Sequence, residues 1–253
     1  MNSPLSWIGG KSRLTKEIIK RIPEHRCYVE PFAGAAWVLF RKEESRAEVL
    51  NDINRELINL YRVIQNHLEE FVRQFKWILV SREEFERMGR ARPDTLTDIQ
   101  RAVRFYYRQK LTFGGKVAGR TFGYSATAKP RLNLLRIEED LSAAHLRLAR
   151  VLIESLPYTD LIPRYDRPET FFYIDPPYFG CEDFYGKGVF SREDFARLAE
   201  LLGGIKGRFL LSLNKAPETL EIFNSFEIED VVTRYSCSRD ADVRVTEILV
   251  RNY

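Results

Sequence analysis

Four consecutive apolar residues, Phe171-Phe172-Tyr173-Ile174, run directly into Asp175-Pro176-Pro177-Tyr178. A strand exposed on one face alternates apolar and polar residues, so a strand that is apolar throughout is covered on both faces. Parallel sheets layered between helices provide that cover. The run therefore predicts an α/β fold. It also places Asp175 at the carboxyl end of a buried strand, where such sheets bind their ligands.

The N-terminal quarter follows the same logic. Ser6-Trp7-Ile8-Gly9-Gly10-Lys11 reads as a loop, and a helix is predicted from Ser12 to Arg21, ending before Pro23. Cys27 to Glu30 is a short strand, Pro31 to Gly34 a turn, Ala35 to Arg41 helical, and Val49-Leu50 a strand ending in Asn51-Asp52. Strand, tight turn, helix, strand and acid, in that order, open a nucleotide-binding α/β unit. From Arg55 to Arg87 the spacing of Leu57, Leu60, Tyr61, Ile64, Leu68 and Phe71 is helical. Ile99 to Leu111 and Ile137 to Ala149 are helical too, and Thr112 to Lys129 between them reads as a loop or β-hairpin. Strands are predicted at Val151 to Ile153, Arg208 to Leu213, Ile228 to Tyr235 and Thr246 to Arg251, with a helix capped by Ser191 running to Leu202. The arrangement is a Rossmann-like sheet split by an inserted, mostly helical domain. Residues 1–56 and 151–253 form the first domain and residues 57–150 the second.

Composition excludes several classes. No apolar stretch approaches the roughly 20 residues of a membrane span, and the N-terminus has no secretory pattern. Cys27, Cys181 and Cys237 match neither a zinc spacing nor a disulfide framework, so reduced cysteines, a cytoplasmic setting and no metal are expected. The net charge of +4 is too small to diagnose a partner, but its distribution is biased. Arg101, Arg104, Arg108, Lys110, Lys116, Arg120, Lys129, Arg131 and Arg136 fall in a stretch with no Asp or Glu. Such a patch attracts a phosphate backbone whatever its base sequence.

Asp-Pro-Pro-Tyr after a buried strand suits one kind of chemistry. The exocyclic amine of a nucleobase is a poor nucleophile, because its lone pair is delocalised into the ring. Two acceptors, the Asp175 carboxylate and the Pro176 carbonyl held by the rigid Pro-Pro backbone, would draw the nitrogen towards a pyramidal form. Tyr178 would stack on the base and fix its plane. Taken alone, the tetrad is also compatible with an exposed proline turn.

The chain resembles the Dam-like family of DNA adenine methyltransferases over nearly its whole length. The resemblance rests on Trp7 to Lys11, Tyr28 to Ala35, Asn51 to Asn54, Asp175 to Tyr178 and Glu247 to Tyr253, in the family's order. It implies S-adenosylmethionine as methyl donor and a flipped adenine in double-stranded DNA as acceptor. It implies that Trp7, Lys11, Phe32, Gly34, Asp52 and Asp175 line the cofactor site, with Asp52 on the ribose hydroxyls. The cofactor's adenine would pack at Leu156-Pro157-Tyr158, and Lys11 would also lie near the target base. DNA contacts are expected from Lys11, Arg104, Arg108, Lys110, Lys116, Arg120, Tyr124, Lys129 and Arg131. One position departs from the family: Ala36 stands where a second glycine is usual. A cytosine-N4 or other planar-amine methyltransferase, and a DNA-binding relative without catalysis, are the alternative readings. The chain is expected to be a monomer or weak dimer. The sequence leaves a cognate restriction enzyme, a solitary role and a prophage setting open.

Overall fold

Residue parity along the strands sets the architecture. The computed structural model describes residues 1–7, 9–117, 119–182, 186, 188–234 and 244–253. The expectations that fall on Ile8, Tyr235 and Cys237 lie outside the described residues. The strands are β1 (Cys27–Glu30), β2 (Ala47–Asn51), β3 (Leu152–Glu154), β4 (Thr170–Ile174), β5 (Arg208–Asn214), β6 (Glu227–Arg234) and β7 (Arg244–Arg251). Tyr28, Leu50, Phe171, Tyr173, Leu210 and Leu249 enter one apolar cluster, while Val29, Val49, Phe172, Ile174, Phe209, Leu211, Ile248 and Val250 enter another. Strands β1, β2, β4, β5 and β7 thus alternate between two cores, and both of their faces are covered, as the apolar run at β4 predicts.

The seven strands lie in the order β3-β2-β1-β4-β5-β7-β6, with β7 antiparallel to both neighbours and the other pairings parallel. The order reverses between β1 and β4, and at that switch point an open α/β sheet leaves a crevice beyond its strand ends. Helices α1 (Thr15–Lys20), α2 (Trp37–Arg41), α3 (Arg55–Asn66), α4 (Leu68–Gln74), α5 (Arg82–Arg90), α6 (Asp98–Leu111) and α7 (Ile137–Leu148) feed the first core. Helices α8 (Tyr158–Tyr165), α9 (Arg192–Gly203) and α10 (Pro217–Ile222) lie on the other face. A buried charge cluster ties α7 to the sheet: the Glu48 carboxylate accepts from Lys42 at 2.5 Å and from Arg147 at 2.8 Å. Among the described residues no helix is long and apolar enough to cross a membrane.

Local chemistry explains where the pattern misled. The helical run expected over 55–87 is three helices. Helix α3 stops at His67, whose φ of −137° is not helical. The bulky, partly β-branched run Trp77 to Val80 is non-helical. Ser81 then starts α5 by accepting from the Glu84 N–H at 3.1 Å. The loop over 112–129 is closed by a single antiparallel bridge, Thr112 to Phe122, so the expected hairpin is a short clasp. Ala118 in it is not described. Helices α8 and α10 were not expected. Both are short, and α8 carries Pro163 in its interior.

Candidate active site

At the switch point, parity carries polar residues to the strand ends past the apolar positions. Tyr28 leads to Glu30, Tyr173 to Asp175, Leu210 to Ser212 and then Asn214, and Leu249 back to Glu247. All belong to the face that packs on the first core. Of these, Glu30 and Asp175 line a cavity of about 500 Å³, within the range of small-molecule sites. Its wall includes Trp7, Lys11, Phe32, Gly34, Asp52, Pro157, Tyr158, Asp175 and Pro177, so the sequence-predicted cofactor residues converge.

Asp175 sits in a built network. Lys11, only 4% exposed, holds its ammonium 2.6 Å from Asp175 Oδ1, and Ser212 donates to the same oxygen at 3.0 Å. The Tyr173 hydroxyl is 3.2 Å from Ser212 Oγ. Among the described residues the Lys11 and Ser212 contacts both fall on Oδ1 and none on Oδ2. Lys11 also lies 3.9 Å from the fully buried Glu247 and 4.4 Å over the Tyr178 ring. Burial pushes the Asp175 carboxyl above the ordinary aspartate value, with Lys11 pulling the other way. Pro176 and Pro177 are buried. Asn214 fixes the following turn by accepting from the Phe179 N–H at 2.9 Å and donating to the Phe179 carbonyl at 3.1 Å.

The Asp52 side of the cavity is equally ordered. Asp52 accepts from the N–H groups of Gly34 (3.0 Å) and Asn54 (2.8 Å), and burial raises its carboxyl. Gly34 has φ +46°, and a Cβ there would lie 2.9 Å from Trp7 Nε1, so backbone shape and the Trp7 ring both require glycine. Asn51 joins three strand ends, donating to the carbonyls of Pro31 (2.8 Å) and Leu156 (3.0 Å) while accepting from the Leu156 N–H (2.8 Å). Phe32, Tyr158 and Phe190 form an aromatic wall with ring centres 5.5 to 6.0 Å apart.

Several site residues escaped the sequence reading. Glu30 is buried, accepts from Tyr28 (2.5 Å) and the Leu39 N–H (2.8 Å), and is pushed up to about 7 by burial. Its signal was available: a carboxylate ends β1 one step from the switch point. Ser212 and Glu247 could have been found by parity from the apolar strands. Trp37 and Phe190 carried no signal beyond being aromatic.

Ala36 has φ +51° and ψ +39°, a left-handed conformation, and is 2% exposed. That geometry costs a non-glycine residue roughly 1–2 kcal/mol. Ala36→Gly relieves it, less glycine's chain entropy. The expected net gain of about 1 kcal/mol would raise the melting temperature by about 2–4 °C. A lower melting temperature would mean that the buried methyl outweighs the strain.

Apart from Lys11, the predicted DNA contacts lie outside the cavity. Lys116, Lys129 and Arg131 are exposed, and Tyr124 is 78% exposed. Lys110 donates to the Pro4 carbonyl at 3.3 Å, and burial lowers its pKa. Arg104, Arg108 and Arg120 are half-buried.

Comparison with known proteins agrees with this geometry. The chain is 24% identical over its full length to the type II methyltransferase M.CviBI of Paramecium bursaria Chlorella virus NC1A, matching all of that protein. It is 27% identical to the type II methyltransferase M1.LlaDCHI of Lactococcus lactis subsp. cremoris, with 98% of this chain and 94% of the relative covered. It is 29% identical to the DNA adenine methylase of Escherichia coli (strain K12), with 97% and 93% covered. The family model for D12 class N6 adenine-specific DNA methyltransferases matches residues 7–237, and the chain belongs to that family.

Proposed function

We propose that this chain transfers a methyl group from S-adenosylmethionine to the N6 amine of an adenine flipped out of double-stranded DNA. The supporting observation is the asymmetry of Asp175, a cavity-lining residue whose contacts with Lys11 and Ser212 both fall on Oδ1. Asp175 Oδ2 and the Pro176 carbonyl accept the two amine hydrogens, and Tyr178 stacks on the base. Flipping costs a few kcal/mol of unstacking. The raised basicity of Asp175 suits it to take the proton that the nitrogen loses after methylation.

The cavity fits the cofactor. The desolvated Asp52 is placed to accept from ribose hydroxyls, and Gly34 lets the backbone approach closely. Pro157 and the Phe32, Tyr158 and Phe190 wall give an adenine ring an apolar slot. Glu30, raised to about 7 by burial, becomes the counter-charge when a cationic amino-acid moiety enters the cavity it lines. When bound, the cofactor supplies an activated sulfonium methyl. Trp7 and Lys11 close the cavity from the N-terminal side.

The segment 57–150 is the target-recognition part in this reading. Lys116, Lys129 and Arg131 are exposed cations for the phosphate backbone, and Lys110 joins the segment to the N-terminal loop. Gln109 makes the same connection from inside, donating to the carbonyls of Ser6 and Gly115 at 2.8 Å each. Tyr124 on the clasp, exposed beside Phe113, is placed to touch bases. Incubating the protein with duplex DNA and methyl-labelled cofactor tests the reading. Label in DNA that depends on the duplex supports it, and absence of label sinks it.

A further inference from the structure

The cations of the acid-free stretch divide into two kinds. Arg101 pairs with Glu56 and Asp98, and Arg136 pairs with Glu139 and Asp140. Arg104, Arg108 and Arg120 have no carboxylate within ion-pair distance among the described residues; their contacts are carbonyls and rings. Arg104 Nε donates to the Met88 carbonyl at 2.7 Å. The Arg108 guanidinium lies 5.0 Å from the Phe85 ring centre, and its buried Nε has no hydrogen-bond partner among the described residues. Arg120 lies 4.7 Å over Phe105 and donates from Nε to the Val117 carbonyl at 3.1 Å. Glu56, the acid whose charge reaches Arg120, is already paired with Arg101.

These three guanidinium groups act on one another. Burial and the charges of Arg108 and Arg104 push Arg120 down to about 10, and burial and Arg104 lower Arg108. Arg104 and Arg108 meet at the carbonyl end of α5, where Arg104 donates to Met88 and a Cβ on Gly89 would lie 3.1 Å from Arg108 Nη2, and that end offsets part of the repulsion for both. Nothing comparable serves Arg120. Half-buried like charges are costly unless a counter-charge joins them. The place of the cluster is also telling. Phe105, under Arg120, has its ring centre 6.3 Å from that of Trp7, and Trp7 lines the cavity. One aromatic layer therefore separates the cluster from the cavity that holds Asp175.

We propose that Arg104, Arg108 and Arg120 form a binding site for one backbone phosphodiester of the DNA strand that carries the target adenine. Guanidinium forks match the paired non-bridging oxygens of a phosphodiester. A phosphate held there positions the strand beside the cavity and reads no base. The proposal rests on the chain acting on DNA.

Salt titration of binding to a fluorescent mixed-sequence duplex tests it, using Arg108→Gln, Arg120→Gln and, as control, the carboxylate-paired Arg136→Gln. The two cluster substitutions combined in one protein are expected to reduce the slope of log affinity against log salt by up to about one, the single charge of one phosphodiester, and each alone by part of that, equally for unrelated sequences. The control is expected to leave the slope unchanged. Arg108→Lys keeps the charge and should restore most of the slope. Melting temperature and cofactor binding are measured alongside, because a purely structural role would lower the first and leave the slope alone. Unchanged slopes in folded cluster variants, with wild-type protein that binds and methylates DNA, overturn the cluster alone. Wild-type protein that neither binds nor methylates DNA overturns the functional reading instead.

Discussion

Asp175→Ala abolishes methyl transfer while the protein stays folded and binds its cofactor. The expected loss is at least about 10²–10³-fold in turnover, the scale for removing one preorganised hydrogen-bonding group at a reacting centre. Folding survives because of the charge count in the network. Lys11 faces two carboxylates, Asp175 at 2.6 Å and Glu247 at 3.9 Å. Deleting Asp175 leaves one cation with one anion. The Asp52 end of the cavity, with its ligands from Gly34 and Asn54, is untouched. Calorimetric cofactor titration beside single-turnover methylation separates the two effects. Retained turnover would remove Asp175 from the chemistry, and lost cofactor affinity would move it to the binding site.

Lys11→Met gives the opposite pattern. It removes the cation and leaves two carboxylates, one 21% exposed and one fully buried. Breaking a buried charge pair from one side costs about 3–5 kcal/mol. Burial already raises the Asp175 carboxyl, and Lys11 is the first of the groups that lower it. Without Lys11 the folded-state value rises further. A folded-state value above the unfolded one gives stability that is present at low pH and lost as pH climbs through it. The Lys11→Met protein should therefore lose melting temperature relative to wild type as pH rises from about 5 to about 8. Adding Glu247→Gln in that background should recover part of the loss. No recovery, or a deficit that shrinks with rising pH, would contradict this account of the network.

How much of this was legible in the sequence depended on the range of the signal. The apolar run at β4 announced a doubly covered sheet, and Asp175 at its end marked the site. The β1 bounds were read correctly because Pro31 ends the strand sharply. Asp52 and Gly34 were singled out by residue type at a turn and a strand end, and the fold brings them together on the cavity wall, with the Gly34 N–H donating to Asp52. What stayed hidden depends on strand order. Ser212 and Glu247 lie 37 and 72 positions beyond Asp175, and only the β4-β5-β7 pairing brings them beside it. The division of the basic stretch into paired and acid-free arginines was hidden for the same reason, since Glu56 reaches Arg101 from a different helix. Ala36 was flagged as a departure, but the left-handed backbone behind it became visible only in the fold.

The central claim, methylation of adenine N6 in duplex DNA, is tested most directly by nucleoside analysis. DNA lacking methylated bases is incubated with the protein and S-adenosylmethionine, digested to nucleosides and resolved by mass. The account predicts N6-methyladenine as the new product, and none with the Asp175→Ala protein. N4-methylcytosine as the product, or no methylated nucleoside from wild-type protein, would contradict it.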